Sequence, residues 1–218
     1  MPAGRAGGQG ERRYAARVSD FPTVSRITAL HHAYAPTTEA FESVYTHCEI
    51  VWRIAEQLLA GPGGVGVDAE LVRAGCLLHD IGVYRLYDEQ GRRGDHTQYV
   101  RHGVLGADIL AAEGLPPMLG RFCSCHTGVG LTRHDILSQN LPIPLGDYVP
   151  QTAEERLVTY ADKFHSKSRP PRFVSADTFA RRIARFGEEK VVVFGEFAEE
   201  FGGPELEPLA EEYGQHIS

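Results

Sequence analysis

The sequence lacks long apolar runs and any excess of positive charge. No stretch approaches the roughly 20 consecutive apolar residues that a membrane-spanning helix needs. The formal net charge of −7 argues against a surface for duplex nucleic acid. Arg5, Arg12 and Arg13 are not followed by an apolar segment, so no secretory signal peptide is predicted. These absences predict a cytoplasmic protein without membrane or duplex nucleic-acid partners.

Cysteines are also few, and four of them in 218 residues do not make a disulfide framework. Cys48, Cys76 and Cys123 lie in apolar helical segments, and Cys125 lies close by. A zinc site at Cys123, Cys125 and His126 would need a second ligand pair, which is missing. We therefore predict reduced and mostly buried thiols.

Strand-like alternation and internal repeats are missing too, whereas apolar residues recur at helical intervals. A helix beginning near Thr37 has one face formed by Val44, His47, Val51, Ile54 and Leu58. Further helices are predicted to begin near residues 68, 100, 118, 132, 152, 175, 188 and 205. Residues 191–194 favour a strand by propensity, but no partner strand is visible, so we predict helix there. The predicted fold class is all-α, a compact multi-helix bundle.

Several histidines and aspartates occupy inward-facing or helix-end positions in separate predicted helices. His47 shares the apolar stripe of its helix, and Asp162 lies one turn from Val158. A buried carboxylate is costly unless it is paired or bound to a metal. A single buried histidine is more often only hydrogen-bonded, but the ordered set favours a shared metal site. Its six candidate ligands are His47, His79, Asp80, His102, His126 and Asp162.

The other histidines differ in placement. His165 follows Asp162 by three positions, so it can face the same cavity. We expect surface or structural roles for His31, His32, His96, His134 and His216.

Residues 77–82 read Leu-Leu-His-Asp-Ile-Gly. With the ordered set over residues 44–167, this segment resembles the HD superfamily of metal-dependent phosphohydrolases, in its HDIG subgroup. Residues 125–131 and 150–155 are similar to uncharacterised proteins of that subgroup. The resemblance implies an HD-type helical domain, which we place at residues 20–173. Residues 1–19 are predicted to be a mobile tail, and residues 174–218 to be helices packing on the same domain.

The resemblance also implies how the ligands divide. One metal ion would be bound by His47, His79, Asp80 and Asp162. In dinuclear members the Asp80 carboxylate bridges to a second ion, held by residues that match His102 and His126. Val83 departs from cyclic-dinucleotide phosphodiesterases, which carry lysine at that place, and their Gly-Tyr-Pro segment is absent. Val83 and Tyr84 also offer no acidic residue of the kind that certain mononuclear deoxynucleotidases place there.

Imidazole and carboxylate ligands without thiolates suit one or two ions of Fe, Mn, Zn, Ni or Co. Two ions about 3.5–4 Å apart can activate a water, and the metal-bound hydroxide attacks phosphorus. We therefore predict a phosphomonoesterase or phosphodiesterase acting on a nucleotide or another small phosphorylated metabolite. Asp80 and His165 are the predicted catalytic residues, with His165 protonating the leaving group. The candidates for holding phosphate are Arg101, Lys163, Arg133 and Lys167.

Two other functions stay open at this point. Certain relatives in the superfamily use the same ligand set in a dinuclear-iron oxygenase, and a non-enzymatic sensor module could hold a structural metal. Arg181, Arg182 and Arg185 could form a partner or phosphate surface, although a solvated helix exterior is the commoner explanation. A homodimer is compatible with the helical pattern, but no single apolar stripe requires one.

Overall fold

Residues 21–218 are described by the structure, a computed structural model, and the tail predicted at residues 1–19 lies outside this range. Within it the chain forms ten α-helices and one antiparallel pair of two-residue strands. The helices are α1 (Val24–Tyr34), α2 (Thr38–Leu59), α3 (Ala69–Leu78), α4 (His102–Ala112), α5 (Pro117–Cys125), α6 (Arg133–Ser138), α7 (Ala153–Ala161), α8 (Ala176–Ile183), α9 (Glu188–Phe201) and α10 (Glu207–Glu212). The predicted all-α fold class is confirmed.

Short 3-10 helices extend or connect several of these elements. They are Pro62–Gly64, Ile81–Leu86, His96–Arg101, Asp162–Phe164 and Ala184–Phe186. The two strands are β1 (His165–Ser166) and β2 (Arg172–Phe173). Phe173 also pairs with Ile217, so the C-terminal residues are anchored beside β2.

Polar caps determine where the predicted helices begin. The Thr37 side chain accepts a hydrogen bond from a main-chain N–H in the first turn of α2, and Asp68 does the same for α3. Thr152 and Glu155 form a reciprocal capping box at the start of α7. The helix starts predicted near residues 37, 68 and 152 are confirmed. Residues 191–194 lie inside α9, as predicted.

The core is built around α2, α3 and α7, which pack on one another. The predicted stripe on α2 is buried, with Val44, Val51 and Ile54 fully enclosed. The pair α4 and α5 packs on α3 through α5, and α9 packs on α7. This arrangement brings the C-terminal ends of α3, α5 and α7 near the middle of α2, where the candidate ligands lie.

Helix α1 is not predicted by the sequence pattern. Only Ile27, Leu30 and His31 are buried on it, which is too few apolar positions to produce a clear periodic signal. It packs on α2, on α3 and on the 3-10 helix Ile81–Leu86.

The four cysteines are free and buried, as predicted. Within residues 21–218, no helix has the length and apolar character required to cross a membrane.

Candidate metal centre

Five helices position the six candidate ligands. His47 lies in the middle of α2, and His102 is the first residue of α4. The other four follow directly on helix ends, where the chain leaves the helical axis: His79 and Asp80 after α3, His126 after α5 and Asp162 after α7. All six side chains converge, and all but Asp162 are buried.

Three of the histidines are oriented by main-chain carbonyl groups. In each, Nδ1 lies within hydrogen-bond distance of a carbonyl oxygen three or four residues earlier in the chain. A carbonyl oxygen only accepts, so Nδ1 carries a proton, and in the neutral ring the Nε2 lone pair faces the centre. The pairs are His79 with Cys76 at 2.7 Å, His102 with Tyr99 at 2.6 Å and His126 with Phe122 at 2.9 Å.

His47 reaches the same protonation pattern through a second histidine. His165 Nε2 lies 3.0 Å from the side-chain oxygen of Gln215, which accepts its proton. His165 Nδ1 is then an acceptor, 2.8 Å from His47 Nδ1. His47 therefore donates through Nδ1 and directs its Nε2 lone pair at the centre.

The two oxygens of Asp80 face different pairs of histidines. Oδ2 lies 3.3 Å from His47 Nε2 and 3.7 Å from His79 Nε2. Oδ1 lies 3.5 Å from His102 Nε2 and 3.6 Å from His126 Nε2. Oδ1 is buried and has no hydrogen-bond partner among residues 21–218. A carboxylate placed in this way is suited to bridge two cations.

The donor atoms of the centre are electron-rich and close together. Asp162 Oδ1 lies 3.0 Å from His47 Nε2 and 3.4 Å from His79 Nε2. The Nε2 atoms of His102 and His126 are 2.9 Å apart, and both carry lone pairs in the protonation pattern above. Such atoms repel one another unless a cation lies among them. The residues therefore fit metal ions.

Two lysines lie against the carboxylates of the centre. Lys163 Nζ donates to Asp162 Oδ2 at 2.6 Å and to the His126 carbonyl oxygen at 2.7 Å. Lys167 Nζ forms an ion pair with Asp80 Oδ2. Burial alone would raise the pKa of Asp80, but the Lys167 ammonium and the neighbouring histidines hold it well below its usual value.

The centre opens into a cavity of about 590 Å³. Of the four residues predicted to hold phosphate, Lys163 and Lys167 line this cavity, whereas Arg101 and Arg133 do not. Arg101 is exposed and contacts Gln98, because consecutive helical residues point about 100° apart and His102 faces inward. Arg133 is exposed at the start of α6. These two arginines thus lie outside the cavity lining, unlike the two lysines.

Among residues 21–218, the arginines that line the cavity are Arg93, Arg182 and Arg185. No sequence pattern marked Arg93, which lies in an irregular segment with its guanidinium over the rings of Tyr87 and Tyr99. Arg182 and Arg185 belong to the basic cluster that the sequence analysis named as a possible phosphate surface. His165, the predicted proton donor, lines the cavity, and both of its ring nitrogens have partners within the protein.

The region that carries this site matches a known protein family. The family model for the HD domain matches residues 44–167, more than half of the chain. The chain therefore belongs to the HD-domain family, as its motif predicted. The fold is similar to that of the HD domain of the L. monocytogenes phosphodiesterase PgpH, with a TM-score of 0.50, 17% identity, and coverage of 86% of this chain and 98% of that one.

Two curated relatives come from archaea. An uncharacterised protein of Methanocaldococcus jannaschii, MJ0778, is 38% identical over 123 residues, which are 56% of this chain and 65% of that protein. A tRNA (cytidine(56)-2'-O)-methyltransferase of Picrophilus torridus is 33% identical over 130 residues, which are 60% of this chain and 33% of that protein. The matched region thus spans less than two thirds of either relative.

Proposed function

We propose that this protein is a metal-dependent phosphohydrolase that cleaves a phosphate ester of a nucleotide or another small metabolite. The observation that carries the proposal is the convergence of four imidazole Nε2 atoms and two carboxylates at the wall of an open cavity. Membership of the HD-domain family supports it. Donors of this chemistry, without a thiolate, suit Fe, Mn, Zn, Ni or Co.

The proposed centre holds two ions. His47, His79, Asp80 and Asp162 would hold one ion, and His102 and His126, together with the Asp80 carboxylate, would hold the other. The division is supported by the two oxygens of Asp80, which face different histidine pairs. When bound, such ions would supply positive charge to the phosphoryl oxygens and would activate a water for attack.

Other residues of the cavity bind the phosphate or orient the metal ligands. Lys163 and Lys167 each present an ammonium group beside the centre and hold the phosphate as point charges. Burial alone would lower the pKa of Lys167, but the Asp80 carboxylate raises it above its usual value, so the charge persists at neutral pH. His165 is a positioning residue, because it lies behind His47 and holds that ring in the tautomer that presents Nε2.

The first test is metal content per chain, by elemental analysis of protein purified without chelator or added metal. We expect about two equivalents in the wild type. Asp80→Ala should lose both ions because its carboxylate bridges them, and His102→Ala should lose mainly the second. Arg101→Ala, which changes the exposed neighbour of His102, is the matched control and should keep both.

The second test is release of phosphate or alcohol from a panel of phosphate monoesters and diesters by the metal-loaded protein. Activity should fall with metal content in the same variants. Full metal content and full activity in both Asp80→Ala and His102→Ala would contradict the proposed centre. Iron with oxygen uptake and no ester cleavage would contradict hydrolysis and favour an oxygenase, and bound metal without any turnover would favour a sensor.

A further inference from the structure

One wall of the cavity is contributed by α8 and the 3-10 helix Ala184–Phe186. This segment lies beyond residues 44–167, the part that the family model matches. Its cavity-lining residues Phe179, Arg182, Ile183 and Phe186 recur at intervals of three and four, so they share one helix face. That face is therefore a feature of this chain's own C-terminal segment.

Arg182 and Arg185 on this wall are exposed cations, and within residues 21–218 neither forms an ion pair. The Arg182 guanidinium lies 3.5 Å from Ser218 Oγ, and that of Arg185 lies 4.7 Å from the centre of the Phe186 ring. Both guanidinium groups thus keep N–H donors available for a ligand. A guanidinium group can donate two parallel hydrogen bonds to the oxygens of one phosphate.

Unlike these two arginines, the lysines of the cavity already contact carboxylates. Lys163 and Lys167 each contact a carboxylate of the metal centre, so their charge serves the phosphate bound there. Among residues 21–218, one other carboxylate lines the cavity, that of Asp95, and it accepts hydrogen bonds from Thr97. Arg182 on α8 and Arg185 on the following 3-10 helix are therefore positive charges that contact no carboxylate of the metal centre among residues 21–218.

We infer that the wall formed by α8 is a second anion subsite, so that the substrate is a phosphate ester carrying a second phosphate at its far end. The inference rests on the proposed function, in which the first phosphate binds at the metal centre. Arg182 and Arg185 bind the second phosphate, and Phe179 and Phe186 cover the apolar part between the two. A cavity of about 590 Å³ holds a molecule of nucleotide size.

The test uses binding, with probes whose carbon–phosphorus bonds a hydrolase leaves intact. Straight-chain alkanes with a phosphonate at both ends, from propane to heptane, are compared by calorimetry with monophosphonates of the same length on the metal-loaded protein. The variant is Arg182→Gln with Arg185→Gln. Arg181→Gln is the matched control, because Arg181 lies on the same helix, contacts Thr178 and does not line the cavity.

For at least one chain length, the wild type and Arg181→Gln should bind the bisphosphonate about tenfold more tightly than the monophosphonate, through the added charge-assisted hydrogen bonds. The double variant should lose most of this advantage and bind the monophosphonate unchanged. No advantage in the wild type, or an equal loss for both probe types, overturns the inference.

The outcomes separate the inference from the proposed function. If the protein cleaves phosphate esters but the second phosphonate brings no advantage, the function stands and the subsite fails. If the advantage is present and depends on Arg182 and Arg185 while no ester is cleaved, the subsite stands and hydrolysis fails.

Discussion

His31 connects α1 to both sides of the His79–Asp80 pair. Its Nε2 donates to the Leu77 carbonyl oxygen at 2.7 Å, so its Nδ1, 2.9 Å away from the Tyr84 hydroxyl, accepts from it. The side chain is fully buried, and burial lowers its pKa to about 4. The neutral ring is therefore part of the support of the segment that carries two candidate ligands.

This buried histidine predicts a pH dependence of stability. The pKa of His31 is lower in the folded protein than in the unfolded chain, so as pH falls through about 6.5 the unfolded chain takes up the proton first. Stability is thus lost between about pH 6.5 and pH 4. Between pH 7 and pH 5, the wild type should lose about 2 kcal/mol more unfolding free energy than His31→Gln. Urea titrations of both proteins measure the difference, and parallel pH profiles would contradict it.

The pairing of His165 with His47 predicts an effect on metal binding. His165→Ala removes the acceptor that holds His47 in its tautomer, and loss of such a partner typically costs about 10–100-fold in metal affinity. Competition with a chromophoric chelator measures the affinity. His165→Asn, which restores an acceptor, should recover part of it.

The control for this prediction is His216→Ala, because His216 is exposed and does not line the cavity. It should bind metal as the wild type does. A loss of kcat in His165→Ala with unchanged metal affinity would instead support the proton-donor role that the sequence suggested.

At the scale of elements, the close packing around Gly82 explains why the Leu-Leu-His-Asp-Ile-Gly segment ends in glycine. A Cβ at this position would lie 2.0 Å from the His102 carbonyl oxygen and 2.3 Å from the Gly106 nitrogen. Both are main-chain atoms of α4, which cannot move aside as a flexible side chain does. The glycine therefore permits close contact between α4 and the 3-10 helix Ile81–Leu86, and this contact places His102.

Gly82→Ala should displace α4 and with it His102. We expect a loss of about one of two metal equivalents and a reduction of about 1–3 kcal/mol in the free energy of unfolding, as for overpacked sites. Elemental analysis and urea unfolding measure the two effects. Gly195→Ala in α9 is the control, because its Cβ would meet nothing within 4 Å and alanine favours the helix. Full metal content in Gly82→Ala would refute the coupling.

At the scale of the whole molecule, the candidate centre joins five helices through groups that repel one another. Metal ions that bind the folded chain and not the unfolded one should stabilise the whole bundle by about 4 kcal/mol at a free concentration 1,000 times Kd. For a domain of this size, that corresponds to a rise of about 10 °C in Tm. Thermal unfolding at increasing Mn²⁺ or Zn²⁺ measures it, and an Asp80→Ala protein that responds equally would contradict the prediction.

The local pattern of the sequence was sufficient for most helices and for the set of residues that converge. Helical periodicity and caps depend on neighbours a few positions apart, so the starts of α2, α3 and α7 could be predicted. The ordered histidines and aspartates could be recognised because a buried polar residue in an apolar stripe stands out, and a family motif reinforces it.

Tertiary structure alone decided which cations reach the cavity and what lies behind the ligands. Arg101 and Arg93 have equal charge but different positions. Arg101 points outward because its neighbour His102 faces the centre, whereas the fold of an irregular segment places Arg93 in the cavity wall. The contacts of His165 with His47 and of His31 with Leu77 join residues 118 and 46 positions apart. Such pairings depend on how whole helices pack, and no local pattern encodes that.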